Sequence, residues 1–283
     1  MREQPTNDTR QPANADGRSV RLYLLAILLA PLAAVLLLAA MLTLFHVSDL
    51  HFGYEDRAAL DWFAGEVARL RPAAVICTGD LTMRGTPREF EMAREWLAAL
   101  PVPVTLEPGN HDVPYYWYPF ARATRPWREY DALERAVEGD PNLPDAAVVP
   151  LRTAAAAQWR FNWSKGRVAP RDLAAALQGL AHNAAKPLRL VTTHHPLIDA
   201  GTEGSGSTRG GRRALAELAR AGADVVLSGH VHDPFDVTLE FDGLPIRLVG
   251  AGTLSCRLRA SRPGFNLLEW SADSGLRVTV RSV

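Results

Sequence analysis

Residues 42–51 read Leu-Thr-Leu-Phe-His-Val-Ser-Asp-Leu-His, and this stretch determines the predicted fold. Its first six residues, Leu42 to Val47, form a strongly apolar run that is typical of a strand covered on both faces. The run ends in polar residues, so we expect the carboxyl end of this strand to meet a functional loop. Asp49 and His51 are separated by one residue, and in an extended chain their side chains would point the same way and could bind one ion.

The chain that follows alternates between helical and strand patterns. Apolar residues at helical spacing predict a helix over Arg57–Leu70, and Arg71-Pro72 ends it before an apolar run at Ala73–Thr78. A helix from about Pro87 to Leu100 and a strand over Val102–Leu106 repeat the unit. Alternation of this kind implies an α/β sheet.

The rest of the globular part divides into an irregular middle and a β-rich end. Between Val113 and Pro187 the pattern loosens into an aromatic cluster, helical stretches and a short run at Trp159–Trp163, which predicts a cap or insertion. The α/β pattern resumes with a strand, a helix and a strand at 188–193, 212–221 and 223–228. A second, more antiparallel sheet is then expected to close the domain. Its β segments are Asp236–Phe241, Pro245–Gly250, Asn266–Trp270 and Leu276–Arg281.

The N-terminal residues differ from the globular domain expected over 41–283. Residues 1–19 are polar, which predicts a flexible tail. Residues 20–40 contain an uncharged apolar run close to the roughly 20 residues that a transmembrane helix needs. Arg18 and Arg21 precede this run, so the positive-inside rule favours a single-pass membrane protein whose globular domain is extracytoplasmic.

Two alternatives stay open for this N-terminal segment. A cleaved signal peptide is the first, although Leu37 and Leu38 spoil the small-x-small pattern expected at a cleavage site. A translation start at Met41 is the second, and it would make the protein cytoplasmic.

Composition limits the classes of partner. Lys plus Arg balances Asp plus Glu at 31 each, so no overall basic field suggests nucleic-acid binding. A small-molecule substrate fits this composition better, and the sequence does not give the oligomeric state. Cys77 and Cys256 lie in apolar runs and are expected to be buried, so they do not reveal the compartment.

Polar side chains follow five of the predicted strands. In parallel α/β sheets, ligands gather at the carboxyl ends of strands, so we expect these side chains to converge. Each motif alone could be a polar turn, but five in this order favour a metal site. The motifs are Asp49 with His51, Gly79-Asp80, Gly109-Asn110-His111-Asp112, His194-His195 and Gly229-His230-Val231-His232.

Together the five motifs resemble the calcineurin-like metallophosphoesterase family, from about Met41 to the C-terminus. The similarity to its bacterial cyclic-nucleotide phosphodiesterase branch is looser, and it lies in Gly79–Phe90, in Gly252-Thr-Leu-Ser-Cys-Arg and in Gly264-Phe-Asn. The family implies two packed mixed β-sheets flanked by helices. Here, one N-terminal transmembrane helix would precede them.

The resemblance also implies a dinuclear centre of two transition-metal ions. Oxygen and imidazole ligands without thiolate suit Mn, Fe, Zn or Co, in divalent or mixed-valence form. Such a pair would clamp a phosphate and supply a bridging hydroxide for in-line attack. The implied ligands are Asp49, His51 and His232 on one ion, Asn110, His194 and His230 on the other, and Asp80 between the two.

Three neighbouring positions have implied supporting roles. By resemblance His111 faces the substrate, where it stabilises the transition state or protonates the leaving oxygen. Asp112 either orients a ligand or His111, or stabilises the turn. Resemblance favours His194 over His195 as the ligand because it stands two residues before Pro196. Neighbouring side chains at a strand end point to opposite faces, so His195 is expected behind the ligands.

The sequence therefore predicts a metal-dependent phosphoric ester hydrolase. Phosphodiesters are the favoured substrates, with cyclic nucleotides among them, and phosphomonoesters are also open. A membrane-associated pyrophosphate hydrolase acting on a lipid-linked or nucleotide-sugar substrate is a second interpretation, which the predicted span favours. A non-catalytic scaffold is a third, but such chains are expected to lack ligand histidines that are present in this sequence. Arg84, Arg122 and Arg209 are candidates for phosphate contact, although an exposed Arg is usually a solvated surface group.

Overall fold

The computed structural model describes residues 41–115, 119–156, 164–204 and 207–283. The predicted tail and transmembrane helix, part of the aromatic cluster and the run at Trp159–Trp163 lie outside these ranges. Membrane attachment and extracytoplasmic location therefore stay predictions. Within the described ranges, no helix has both the length and the apolar character that crossing a bilayer requires.

Ten strands and six helices form the described part of the chain. The strands are β1 (Leu42–Val47), β2 (Ala74–Cys77), β3 (Val104–Leu106), β4 (Ala146–Pro150), β5 (Leu188–Thr192), β6 (Val225–Ser228), β7 (Phe235–Phe241), β8 (Leu244–Gly250), β9 (Gly264–Ser271) and β10 (Gly275–Ser282). The helices are α1 (Arg57–Leu70), α2 (Pro87–Ala98), α3 (Pro119–Thr124), α4 (Arg128–Val137), α5 (Pro170–His182) and α6 (Gly211–Arg220).

The strands form two five-stranded sheets, with orders β10-β9-β1-β2-β3 and β4-β5-β6-β8-β7. In the first sheet β1, β2 and β3 are parallel, while β9 and β10 are antiparallel to their neighbours. In the second sheet β4, β5, β6 and β8 are parallel, and β7 is antiparallel at the edge. The prediction of an α/β fold with two mixed sheets is confirmed.

Two details of the predicted topology are wrong. The C-terminal segments do not form a sheet of their own, because β7 and β8 extend the second sheet while β9 and β10 return to the first. The region from Val113 to Pro187 is more than a cap, because it contributes the edge strand β4 to the second sheet. Turn signals delimit such segments, but their pairing depends on distant partners, as in the pairing of Leu42 with Trp270.

Apolar burial explains why the layers stack. One buried cluster joins the facing sides of the two sheets, with Leu44 and Ile76 from the first sheet and Leu190 and Leu227 from the second. The outer face of the first sheet packs against α1, α2 and α4. The outer face of the second packs against α5 and α6. Each sheet is thus covered on both sides, as the apolar run of β1 predicted.

Glu107, directly after β3, is a buried titratable group, and it accepts a hydrogen bond from Thr192 Oγ1 at 3.1 Å. Burial raises the pKa of Glu107 from 4.5 to about 8, although Arg152 opposes the shift. Between these values the folded protein holds a proton that the unfolded chain has released. The free energy of unfolding should therefore fall as pH rises through this window, by roughly 1.4 kcal/mol per pH unit.

We expect Glu107→Gln to flatten this pH dependence, because the amide stays neutral at both ends of the window. Urea unfolding at pH 6 and pH 8 measures the slope. The exposed Glu95 on α2 supplies the control, and Glu95→Gln should keep the wild-type slope. Equal slopes in wild type and Glu107→Gln would contradict the prediction.

Candidate metal centre

The predicted ligands lie in loops at the carboxyl ends of β1, β2, β3, β5 and β6. Backbone hydrogen bonds hold neighbouring loops together. Asp49 N donates to Gly79 O at 2.9 Å, and His51 N donates to Asp80 O at 3.0 Å. Gly229 N donates to His194 O at 2.9 Å. His230 N donates to Asp49 Oδ2 at 2.8 Å, so the strand ends of both sheets meet at one site, as the sequence predicts.

Many of these residues have a left-handed backbone conformation, which directs their side chains into the site. Five of the eight non-glycine residues with positive φ in the described ranges are predicted ligands, with φ between 46° and 69°. This region is sparsely populated and costs roughly 1–3 kcal/mol per residue. Asp49 and His51 thus converge through tight turns and not through the extended alternation that we assumed from the sequence. The five residues are Asp49, His51, Asp80, His230 and His232.

Glycines in the motifs permit close approach between the loops. A Cβ on Gly109 would collide with Asp80 Oδ1, and a Cβ on Gly229 would collide with Asp49 Oδ2. Any larger residue would therefore push a ligand carboxylate out of position.

The ligand atoms form overlapping groups around two carboxylates. His232 Nε2 lies 3.1 Å from Asp49 Oδ1 and 3.2 Å from His51 Nε2. Asp80 Oδ2 lies 3.3 Å from His194 Nε2 and 3.8 Å from His51 Nε2, so this carboxylate sits between the two imidazoles. His230 packs beside His194, with ring centroids 5.2 Å apart.

Backbone carbonyls fix the tautomer of three of these histidines. A carbonyl oxygen can only accept, so each Nδ1 carries the hydrogen and each neutral ring presents a lone pair on Nε2. A partner on the second ring nitrogen is what metal-binding histidines ordinarily have. The contacts are His51 Nδ1 to Thr82 O at 3.3 Å, His194 Nδ1 to Thr78 O at 2.7 Å and His232 Nδ1 to Arg257 O at 2.5 Å.

The donor set fits bound cations. Asp49 Oδ1, Asn110 Oδ1 and His194 Nε2 are buried without a hydrogen-bond partner. A buried polar atom left unpaired costs about 1–3 kcal/mol, so three in one site point to a ligand that they bind. The facing lone pairs of His51 and His232 also need positive charge between them.

Charge interactions within the site shift several pKa values. Burial raises the pKa of the Asp80 carboxyl, but His194 and other imidazoles outweigh it and hold this pKa well below its usual range. The pKa of Asp49 is also well below its usual range, because His232 and other imidazoles outweigh burial. Burial lowers the pKa of His230 to about 3. Burial also lowers the pKa of His194, but Asp80 outweighs it and the net pKa is about 9, so metal binding at His194 displaces a proton.

His195 lies close to His194 and His230, and its nitrogens are near enough to theirs to form a possible metal group. Its hydrogen bonds argue against this. Nε2 donates to Ser164 O at 3.0 Å, and Nδ1 therefore accepts from Thr153 Oγ1 at 3.0 Å. Neither nitrogen keeps a lone pair for an ion, which favours His194 as the ligand.

Asp112 makes the hydrogen bonds that are expected of a turn-stabilising residue. Its carboxylate accepts from Gly109 N at 2.9 Å, from Leu81 N at 3.1 Å and from Thr82 N at 2.9 Å. These bonds join the loop after β2 to the loop after β3. Burial raises the pKa of Asp112 to about 6, with Asp80 adding to the shift.

A cavity of about 240 Å³ opens at the ligand cluster. His111 lines it, and its Nδ1 donates to Met83 O at 2.6 Å, which leaves Nε2 as the other functional atom. Lys165, Arg257 and Arg259 also line the cavity. No strand-end motif marks these basic residues, although Arg257 ends the Gly252–Arg257 stretch that supports the resemblance.

The arginines weighed from the sequence lie elsewhere. Arg84, Arg122 and Arg209 are absent from the described lining of this cavity. Arg122 donates to Ala156 O and Pro114 O, both at 2.8 Å, so it ties backbone segments together. Cys256 is exposed, which corrects the prediction that both cysteines are buried.

Comparison with known proteins identifies the family. Residues 42–234 match the family described as calcineurin-like phosphoesterase. The chain belongs to the calcineurin-like phosphoesterase family. Five motifs at five strand ends thus predicted the family correctly.

Two curated relatives of this calcineurin-like phosphoesterase match part of it. Glycerophosphodiester phosphodiesterase GpdQ of Enterobacter lignolyticus is 38% identical over 78 residues, which are 24% of this chain and 28% of that protein. A probable cyclic nucleotide phosphodiesterase of Synechococcus sp. is 29% identical over 85 residues, which are 27% of this chain and 33% of that protein. The chain thus spans a third or less of the length of the curated relatives that it matches.

A solved structure extends the similarity of the fold to the whole described domain. A dimetal phosphatase from Danio rerio aligns with a TM-score of 0.59 and 13% identity, covering 85% of this chain and 98% of that one. At this identity the comparison shows the fold alone.

Proposed function

We propose that this calcineurin-like phosphoesterase is a dinuclear metal-dependent phosphodiesterase. The observation that carries the proposal is the Asp80 carboxylate, which lies between the Nε2 atoms of His51 and His194. It would contact both ions. Asp49, His51 and His232 would complete one ligand set, and Asn110, His194 and His230 the other.

The chain's own residues would position the ions and the substrate. When bound, two ions of this kind polarise the phosphoryl oxygens and lower the pKa of the attacking water. Backbone carbonyls orient the imidazoles of His51, His194 and His232, so that each ring would offer Nε2 to an ion. His111 lines the cavity, and its Nε2, when it carries a proton, can donate to the leaving oxygen or to a phosphoryl oxygen.

The proposed preference for diesters is supported by the curated relatives and not by the geometry of the site. Both curated relatives described above carry phosphodiesterase names, although each match covers about a quarter of this chain. The basic residues of the cavity suit an anionic phosphate and do not by themselves distinguish diester from monoester.

Metal content and ester preference test the proposal together. Purified protein loaded with Mn should hold close to two ions per chain by elemental analysis, because two ligand sets share Asp80. It should hydrolyse bis(p-nitrophenyl) phosphate at least about 10-fold faster in kcat/KM than p-nitrophenyl phosphate, a ratio equivalent to about 1.4 kcal/mol of transition-state binding. Chelation should abolish hydrolysis, and added Mn should restore it.

The possible results separate the alternatives. A preference for the monoester would refute the diesterase assignment while keeping the hydrolase. Two bound ions without hydrolysis of either ester would favour a non-catalytic scaffold. Protein that takes up no metal would refute the dinuclear site.

A further inference from the structure

Arg257 reaches the candidate metal centre from the loop between β8 and β9. Its Nη1 lies 3.0 Å from His111 Nε2 and 3.4 Å from His51 Nε2. His111 Nδ1 donates to the Met83 carbonyl, so Nε2 is the lone-pair atom and it accepts from the guanidinium. One basic side chain therefore contacts both the predicted catalytic histidine and a predicted ligand.

Within the described ranges, the direct partners of the Arg257 guanidinium are imidazoles and not carboxylates. Its side chain is half-buried, and none of the ion pairs within the described ranges includes it. A cation in a partly buried cavity ordinarily has an anionic partner. Its hydrogen-bond partners here are imidazoles, and the cavity is lined by Lys165 and Arg259 as well as by the carboxylate of Asp80. A substrate phosphate beside His111 would supply that anionic partner.

We propose that Arg257 is a further catalytic residue that binds a non-bridging oxygen of the substrate phosphate beside His111. This inference rests on the proposed phosphoesterase activity. A guanidinium has five N–H donors in a planar fork that matches phosphate oxygens. Within the described ranges, only Nη1 of the Arg257 guanidinium makes side-chain hydrogen bonds. Its other N–H groups can therefore donate to such a phosphate oxygen. These donors stabilise the negative charge on the phosphoryl group during hydrolysis.

The backbone of Arg257 has a different role from its side chain. Its carbonyl oxygen accepts from His232 Nδ1 at 2.5 Å, and its N–H donates to Ser255 Oγ at 3.3 Å. Substitution of the side chain leaves this carbonyl in place. The contribution of the guanidinium can therefore be measured without removing the hydrogen bond that orients His232.

The test compares R257Q and R257K with wild type and with the control R262Q. Arg262 is an exposed arginine of the same loop and is not part of the described cavity lining. Each Mn-loaded protein is measured for metal content, for binding of inorganic phosphate by calorimetry, and for kcat and KM on bis(p-nitrophenyl) phosphate. R257Q should keep its metals, bind phosphate about 10-fold or more weakly and lose roughly 10²-fold in kcat. R257K should recover part of the loss, because it keeps the charge but not the fork.

The outcomes distinguish this inference from the proposed function. Equal phosphate affinity and kcat in R257Q and wild type would overturn the role of Arg257. Loss of metal in both R257Q and R257K would also overturn it, because the side chain would then be structural. If wild type hydrolyses neither ester but R257Q still weakens phosphate binding while R262Q does not, the phosphate contact stands and the proposed function fails.

Discussion

Replacing Asp80 with Asn should reduce metal content well below two ions per chain and lower kcat by about 10³-fold or more, since the site loses several kcal/mol of charge stabilisation. Asp80 Oδ2 lies between His194 Nε2 and His51 Nε2, so one carboxylate charge serves both proposed ligand sets. Asp80 Oδ1 accepts from His111 N at 2.8 Å, and an amide oxygen can keep that bond. The loss should therefore come from the charge and not from collapse of the loop.

His111→Ala provides the contrast for Asp80→Asn. Removing its imidazole deletes a proton donor or charge stabiliser but no proposed ligand, so both ions should remain while kcat falls by roughly 10²-fold. Elemental analysis and steady-state kinetics on the same preparations give both quantities. If Asp80→Asn holds two ions and keeps kcat within tenfold of wild type, Asp80 is not the shared ligand.

The elements of the fold could be predicted where the signal is local. The apolar run of β1 and the helical spacing of α1 gave bounds that agree with the structure at both ends. The order of strands could not be predicted, because pairing in a sheet depends on contacts between distant segments. β9 lies beside β1 although more than 200 residues separate Leu42 from Trp270, and no turn signal records that pairing.

In the candidate site, too, residues with a local sequence signal could be predicted and residues placed by distant contacts could not. Motifs directly after apolar strands predicted which side chains would converge, because parallel strands bring their carboxyl ends to one edge. Arg257 lacks that signal, since it lies in a loop seven residues beyond β8. Its place beside His111 depends on a contact across 146 residues of sequence. Residues whose roles arise from tertiary contacts of this kind need the structure.

The left-handed backbone of the predicted ligands is another feature that could not be predicted from the sequence. The glycines in Gly79-Asp80 and Gly229-His230 suggested turns, but the strained residues are the Asp and His that follow. Such conformations persist only when surrounding contacts hold them. Here the hydrogen bond from His230 N to Asp49 Oδ2, at 2.8 Å, is one such contact between the two sheets.

The adjacent histidines His194 and His195 offer the sharpest test of the ligand assignment. His194→Ala should lose the ion of the second ligand set and reduce kcat by about 10³-fold, as expected when several kcal/mol of charge stabilisation is removed. His195→Ala should keep two ions and lose less activity. The physical difference lies in the hydrogen bonds of the two rings. His194 Nε2 is buried 3.3 Å from Asp80 Oδ2 and makes no hydrogen bond, whereas His195 uses both nitrogens to bind Ser164 and Thr153.

The two variants should also differ in stability, which separates a ligand from a structural residue. Burial, with His230 and His194 nearby, holds the pKa of His195 well below its usual range, so its ring is neutral and serves packing and hydrogen bonding. Removing it deletes the two hydrogen bonds that its ring makes with Ser164 O and Thr153 Oγ1, which should cost about 1–3 kcal/mol in the free energy of unfolding of the metal-free protein. Urea unfolding in the presence of chelator measures this cost, and elemental analysis measures metal. If His195→Ala loses an ion and His194→Ala keeps both, the second ligand set contains His195 and the assignment made here is wrong.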